Sequence, residues 1–129
     1  MLRFVDIQLS PLRSKDSFVF AGELYSGWFT EWGQEWGKVE TPSILAKVRR
    51  LMELGKSFSL YMAFGGSNFG TTAGANGFNG LYSYLPHVTS YDYDSPITEK
   101  GKATPKFSEL RSVIHRFRGI DVADNPVPE

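Results

Sequence analysis

The sequence predicts an α/β architecture, with parallel strands and helices packed outside them. Three observations carry that prediction. Two apolar, aromatic-rich runs, "SFVFAGELY" and "SFSLYMAFGG", each lead into glycine-containing turns. An amphipathic run bracketed by proline and glycine, "TPSILAKVRRLMELG", lies between them. A second amphipathic run, "PKFSELRSVIHRF", follows a long glycine- and aromatic-rich stretch. Strand, loop, helix, strand, long loop, helix is the order of β/α units, whose helices carry the chain back to begin the next parallel strand.

Each element has a local reason. Residues 1–17 read as a short extended piece, "LRFVDIQL", and a loop at "SPLRSKD". Ser17–Tyr25 is nearly continuous in apolar and β-branched residues, as expected of a strand covered on both faces. "SGWFTEWGQEWGKVE" reads as a loop, with glycine at 27, 33 and 37. In the first helix Thr41 is the expected N-cap and Pro42 the first helical residue, with Gly55 after the last turn. Ile44, Leu45, Val48, Leu51 and Met52 recur at helical spacing and predict its buried stripe. Lys47, Arg49 and Arg50 read as its wet face. Ser57–Phe64 is the second strand, stopped by Gly65-Gly66. The roughly forty residues that follow show no periodic element, which in a compact domain marks a functional loop. The last helix is expected to turn Phe107, Leu110, Val113, Ile114 and Phe117 inward. Residues 119–129 read as an exit linker. Two β/α units would leave bare sheet edges, so the chain reads as part of something larger.

Bulk composition narrows the function. The chain has 129 residues and is 41% hydrophobic, enough for one small core. Aromatic residues reach 15%, which suits ring-lined pockets as well as an aromatic core. Formal net charge is zero and no charge run occurs, which argues against a nucleic-acid or anionic-membrane surface. There is no cysteine, and the two histidines, His87 and His115, lie far apart, so a metal site is not expected. No stretch approaches the ~20 apolar residues of a membrane span. The first residues lack the apolar core of a secretory signal. As written, the chain would be made in the cytosol.

Sites in parallel α/β folds form at the carboxyl ends of strands. That rule selects Glu23, Tyr61, the Gly65–Asn68 turn and the segment "SYDYDSP". Glu23 sits among apolar and aromatic neighbours and needs a partner or a task. The plain alternative is a solvated or salt-bridged strand-end glutamate. Glu31 and Glu35 read as exposed loop acids. Asp92 and Asp94 suit bonding to backbone amides in a turn before proline. Tyr25, Trp28, Tyr61, Tyr91 and Tyr93 combine ring faces with hydroxyls, a set that suits sugars and equally suits ordinary packing. "GGSNFGTTAGANG" lacks the lysine of a phosphate-binding loop.

"GELYSGWFTEWG", "LYMAFGGSNFGTTAGAN" and "TSYDYDSPITEKG" followed by "TPKFSELR" resemble three consecutive blocks of glycoside hydrolase family 35, the retaining β-galactosidases. The resemblance covers residues 18–118, between an unmatched extension (1–17) and the exit linker (119–129). It implies part of a (β/α)8 barrel, the seventh and eighth strands with their helices. It implies Glu23 as nucleophile, Tyr25 supporting it or the sugar, and Trp28 near the aglycone. Tyr61 and Tyr93 would contact galactose, and Asp92 and Asp94 would hold their loop. No metal or organic cofactor is implied, and the partner would be a β-galactoside or a galactose-terminated glycan. The family's acid/base motif, of Asn-Glu-Asn-Glu-Tyr type, does not occur in these residues. The resemblance therefore implies a chain without hydrolase activity on its own. Two alternatives stand beside this: a galactoside-binding module without catalysis, and a truncated reading frame without independent function.

Overall fold

The computed structural model describes residues 20–77 and 84–121. The extended piece expected before residue 18 and most of the expected exit linker lie outside these residues. Six elements follow in order: β1 (Phe20–Tyr25), α1 (Thr41–Glu53), β2 (Ser57–Tyr61), β3 (Ala75–Asn76), β4 (Leu85–Pro86) and α2 (Pro105–Arg118). β1 and β2 pair in parallel, as the β/α order predicts, and α1 is the crossover between them.

The core lies between this strand pair and the helices. Ile44, Leu45, Val48, Leu51 and Met52 are all buried, so the predicted stripe of α1 is the stripe that packs. They meet Leu24 from β1 and Leu110 from α2, with Ala21, Phe58, Leu60, Val113 and Ile114 packed around them. Ile44 and Val48 are fully buried, worth about 1.5–3 kcal/mol each from burial alone.

β1 departs from the expected strand. Its pairing runs Ala21 to Phe58, then Leu24 to Leu60, so Gly22 and Glu23 stand opposite Ser59 alone. This two-against-one step is a β-bulge. In a regular strand Ala21 and Leu24 would face opposite ways; here both reach the core. Phe20, Glu23 and Tyr25 are exposed. The expectation of a strand covered on both faces therefore fails for the described residues: α1 covers one face only, and the apolar run supplies the other face with aromatic rings.

Several boundaries also differ. Glu40, without a side-chain cap bond, precedes α1, and Thr41 is its first helical residue. Gly55 follows the helix with φ of 62°, a left-handed geometry that suits glycine. β2 ends at Tyr61, ahead of the predicted Phe64. The Tyr61–Met62 peptide is cis. The long segment, expected to lack elements, holds the short antiparallel pair β3–β4. Isolated bridges also join Ser67 to Ser90 and Phe64 to Ile97. Such pairing is non-local and leaves no periodicity to read.

α2 is capped at both ends. Thr104 accepts from the Phe107 amide at 3.2 Å, Pro105 opens the helix, and Gly119 closes it at φ of 67°. Its inward face is shifted from the prediction. Phe117 is 56% exposed, whereas Lys106 is only 6% exposed.

Two substitutions separate core from cap. Ile44→Ala is expected to cost about 2–5 kcal/mol, and Thr104→Ala about 1 kcal/mol. Urea unfolding followed by circular dichroism checks both; equal costs would contradict the assignment of Ile44 to the core.

Candidate active site

The site is built where the chain leaves β1 and β2. The bulge delivers Glu23 to the exposed side of the strand pair. Tyr25, two residues on, shares that side, and its hydroxyl donates to Glu23 Oε2 at 2.7 Å. This bond, followed by desolvation, raises the Tyr25 phenol above its usual pKa. Tyr61 is the cross-strand partner of Tyr25. Their rings meet edge to face, 6.0 Å between centroids.

Trp28 closes on the other edge of Tyr25, at 5.3 Å and 88°. Tyr93 meets Tyr61 edge-on at 5.6 Å and lies 6.2 Å from Trp28. The five residues singled out by strand-end position and resemblance, Glu23, Tyr25, Trp28, Tyr61 and Tyr93, thus form one connected group. Tyr91, left without a role by the sequence, joins it. Its ring stacks on Tyr93 at 5.3 Å and its hydroxyl lies 3.4 Å from that of Tyr61. Burial raises the Tyr91 and Tyr93 phenols further, with neighbouring hydroxyls adding to the effect.

Tyr91 and Tyr93 ride on a loop that must come very close to both strand ends. A Cβ on Gly27 would stand 1.5 Å from the Tyr93 carbonyl oxygen. One on Gly65 would stand 1.7 Å from that of Tyr91. Only glycine permits these approaches. Tyr93 and Asp94 hold positive φ, 66° and 51°, a region that non-glycine residues seldom occupy.

The loop acids do the anchoring. Asp92 Oδ2 accepts from the Glu99 amide at 2.8 Å, and Asp94 Oδ2 from the Val39 amide at 3.0 Å. Lys106 Nζ also reaches Asp94 Oδ2, at 2.6 Å. Glu99 accepts from the hydroxyls of Ser67 and Ser90, and these bonds hold its pKa below the usual value. Glu31 accepts from Asn76 Nδ2 at 3.1 Å, and Glu35 is exposed. Neither contacts the aromatic group through these bonds. A cleft of about 250 Å³ between the helices, lined by Leu45, Arg49 and Arg116 among others, shares no residue with the group.

No group of three or more metal-ligating side chains occurs among the described residues. Among them, no helix is long and apolar enough to cross a membrane. What the arrangement offers is a carboxylate, held through one oxygen, beside a wall of tyrosine and tryptophan rings.

Comparison with known proteins identifies the lineage of this wall. Residues 7–117 match Glycosyl hydrolases family 35. The chain belongs to that family. It is similar to "Beta-galactosidase-1-like protein" from Mus musculus, 40% identical over 106 residues. It is also similar to "Beta-galactosidase" from Homo sapiens, 37% identical over 106 residues, and "Beta-galactosidase 8" from Oryza sativa subsp. japonica, 39% over 107. Each match covers 82% of this chain but only 15–16% of the relative. The chain therefore spans about a sixth of the length of these relatives. Family membership implies a TIM-barrel catalytic domain, and two helices with a parallel strand pair are consistent with part of one.

Strand-end logic missed Lys106 and Gly27, and it selected the Gly65–Asn68 turn without the close backbone approach that Gly65 makes. Lysine at a helix start normally reads as solvated, and a glycine in a loop does not announce which backbone it meets.

Two outcomes test this geometry. Gly27→Ala is expected to cost at least about 1–3 kcal/mol by overpacking and to weaken the near-ultraviolet tyrosine signal. Gly22→Ala, whose Cβ meets only the Phe20 ring at 3.8 Å, should stay within about 1 kcal/mol. The second outcome concerns pH. A lowered folded-state pKa means that Glu99 contributes stability above its unfolded value near 4.5, lost as pH falls through the lowered value. Glu99→Gln should therefore flatten the acid limb of a urea-midpoint-versus-pH curve; an unchanged limb would contradict the Ser67–Glu99–Ser90 tie.

Proposed function

We propose that this chain supplies the nucleophile half of a retaining β-galactosidase site. In this reading β1 is the seventh barrel strand, β2 the eighth, and Glu23 the nucleophile. The observation that carries it is the Tyr25–Glu23 hydrogen bond at a bulged strand end, facing an aromatic wall. Family membership and relatives named as β-galactosidases support the substrate class.

The chemistry follows from two carboxyl groups about 5–5.5 Å apart. Tyr25 holds Oε2 of Glu23, and Oε1 attacks the anomeric carbon. The C1–Oε1 bond forms as the glycosidic C1–O bond breaks. The departing oxygen takes a proton from the second carboxyl group, which these 129 residues do not supply in the family's motif. Water, deprotonated by that same group, then attacks C1 and releases Glu23. Two inversions leave the β configuration unchanged. Tyr61 and Tyr93 contact galactose, and Trp28 lies toward the aglycone. Tyr91 and Tyr93 are protonated donors, their phenols pushed by burial further from ionisation. The site needs no cofactor in this mechanism.

The 129-residue chain alone is expected not to turn over an aryl β-galactoside; turnover abolished by Glu23→Gln would show instead that it carries a complete site. Joined behind the preceding barrel segments of the human β-galactosidase, the chain should be active. There Glu23→Gln should lower kcat by about 10⁴-fold or more, the scale of losing a nucleophile. Azide should rescue Glu23→Ala in the same chimera by attacking from the vacated face, giving the α-galactosyl azide. A β product, or unchanged kcat, would remove Glu23 from this role.

A further inference from the structure

Lys106 contradicts two habits of lysine at once. It is buried, although lysine almost never is unless paired. It lies in the first turn of α2, where the helix dipole disfavours a cation. Its ammonium donates to three oxygens: the Ser26 carbonyl at 2.8 Å, the Asp94 carbonyl at 2.7 Å and Asp94 Oδ2 at 2.6 Å. Three donors meet three acceptors, so its hydrogen-bonding capacity is filled.

The acceptors are not scattered. Ser26 directly follows Tyr25, and Asp94 directly follows Tyr93. One ammonium therefore bridges the strand that carries Glu23 and Tyr25 to the loop that carries Tyr91 and Tyr93. Asp94 extends the bridge through its bond to the Val39 amide, just before α1. The loop also needs such a pin. Tyr93 and Asp94 both sit at positive φ, a conformation that persists only where surroundings over-determine it.

We propose that Lys106 is a positioning residue of the active site, whose ammonium sets the Tyr91–Tyr93 loop against the Glu23 strand end. It touches no sugar; it acts through Tyr93. The catalytic consequence rests on the reading of Glu23 as nucleophile, whereas the positioning itself does not. The helix-start location then has a reason. A long, flexible cation rooted in α2 reaches both carbonyls, and an apolar replacement would take this donor from both and leave the Asp94 carboxylate its Val39 amide bond but no counter-charge.

The test is amide hydrogen exchange on the full 129-residue chain, read by NMR with the ring-proton shifts of Tyr93. In Lys106→Met, amides of residues 91–95 should exchange at least tenfold faster and the Tyr93 ring shifts should move toward random-coil values. Amides of α1 and β2 should keep wild-type rates. Lys106→Arg should restore part of both signals. If Lys106→Met does not fold, Asp94→Asn provides the reading: it keeps the side chain's shape, removes its charge and should loosen the same residues less. Unchanged exchange at 91–95, or equal loosening of α1 and β2, overturns the proposal. No step of this readout involves turnover, so a failed Glu23 assignment would leave its outcome intact, and the reverse also holds.

Discussion

Gly22 and Glu23 occupy, on one strand, the space that Ser59 alone fills on the next. Side chains on a strand alternate between faces, so an extra residue reverses every assignment beyond it. Before the step Ala21 points at α1; after it Leu24 does. Tyr25 and Tyr61 are thereby placed together on the outward side, where Glu23 accepts the Tyr25 hydroxyl. A regular strand would force a choice between turning Ala21 and turning Leu24 toward the core, with Tyr25 outward only in the second case. The bulge satisfies both, and the aromatic wall is assembled on that result.

The second layer of organisation is backbone against backbone. The loop bearing Tyr91 and Tyr93 has no repetitive structure of its own. It is located by several contacts: glycines 27 and 65 admit its carbonyls, Asp92 binds the nearby Glu99 amide, Asp94 binds the distant Val39 amide, and Glu99 ties two serine hydroxyls. These are polar, directional interactions around the buried Tyr93 ring. They suit a segment whose rings must hold fixed angles, because each bond restricts orientation as well as distance.

Legibility from sequence followed the range of the physics involved. α1 and the span of α2 depend on residues within one or two turns, and both were readable from proline, glycine and apolar spacing. Glu23 was selected among three glutamates by strand-end position, and three ordered motifs then supplied a family that the comparisons bear out. The bulge was not readable, since it exists only relative to a partner strand. Phe117 was misplaced because periodicity locates a stripe but not how far the neighbouring element extends along it. Lys106 was invisible because its partners lie 12 and 80 residues away in the chain. The pair β3–β4 escaped for the same reason.

Position 93 carries two demands that no single residue meets. Its backbone, at φ of 66°, would be most at ease as glycine. Its ring fills a buried place against Tyr61, Tyr91 and Trp28. A selection for thermostability alone would press on the first demand and could accept a residue that empties the second. Tyrosine at this site is a compromise maintained by whatever selects for the ring, which makes residue 93 a sensitive marker of whether a variant of this segment is still held to its original task.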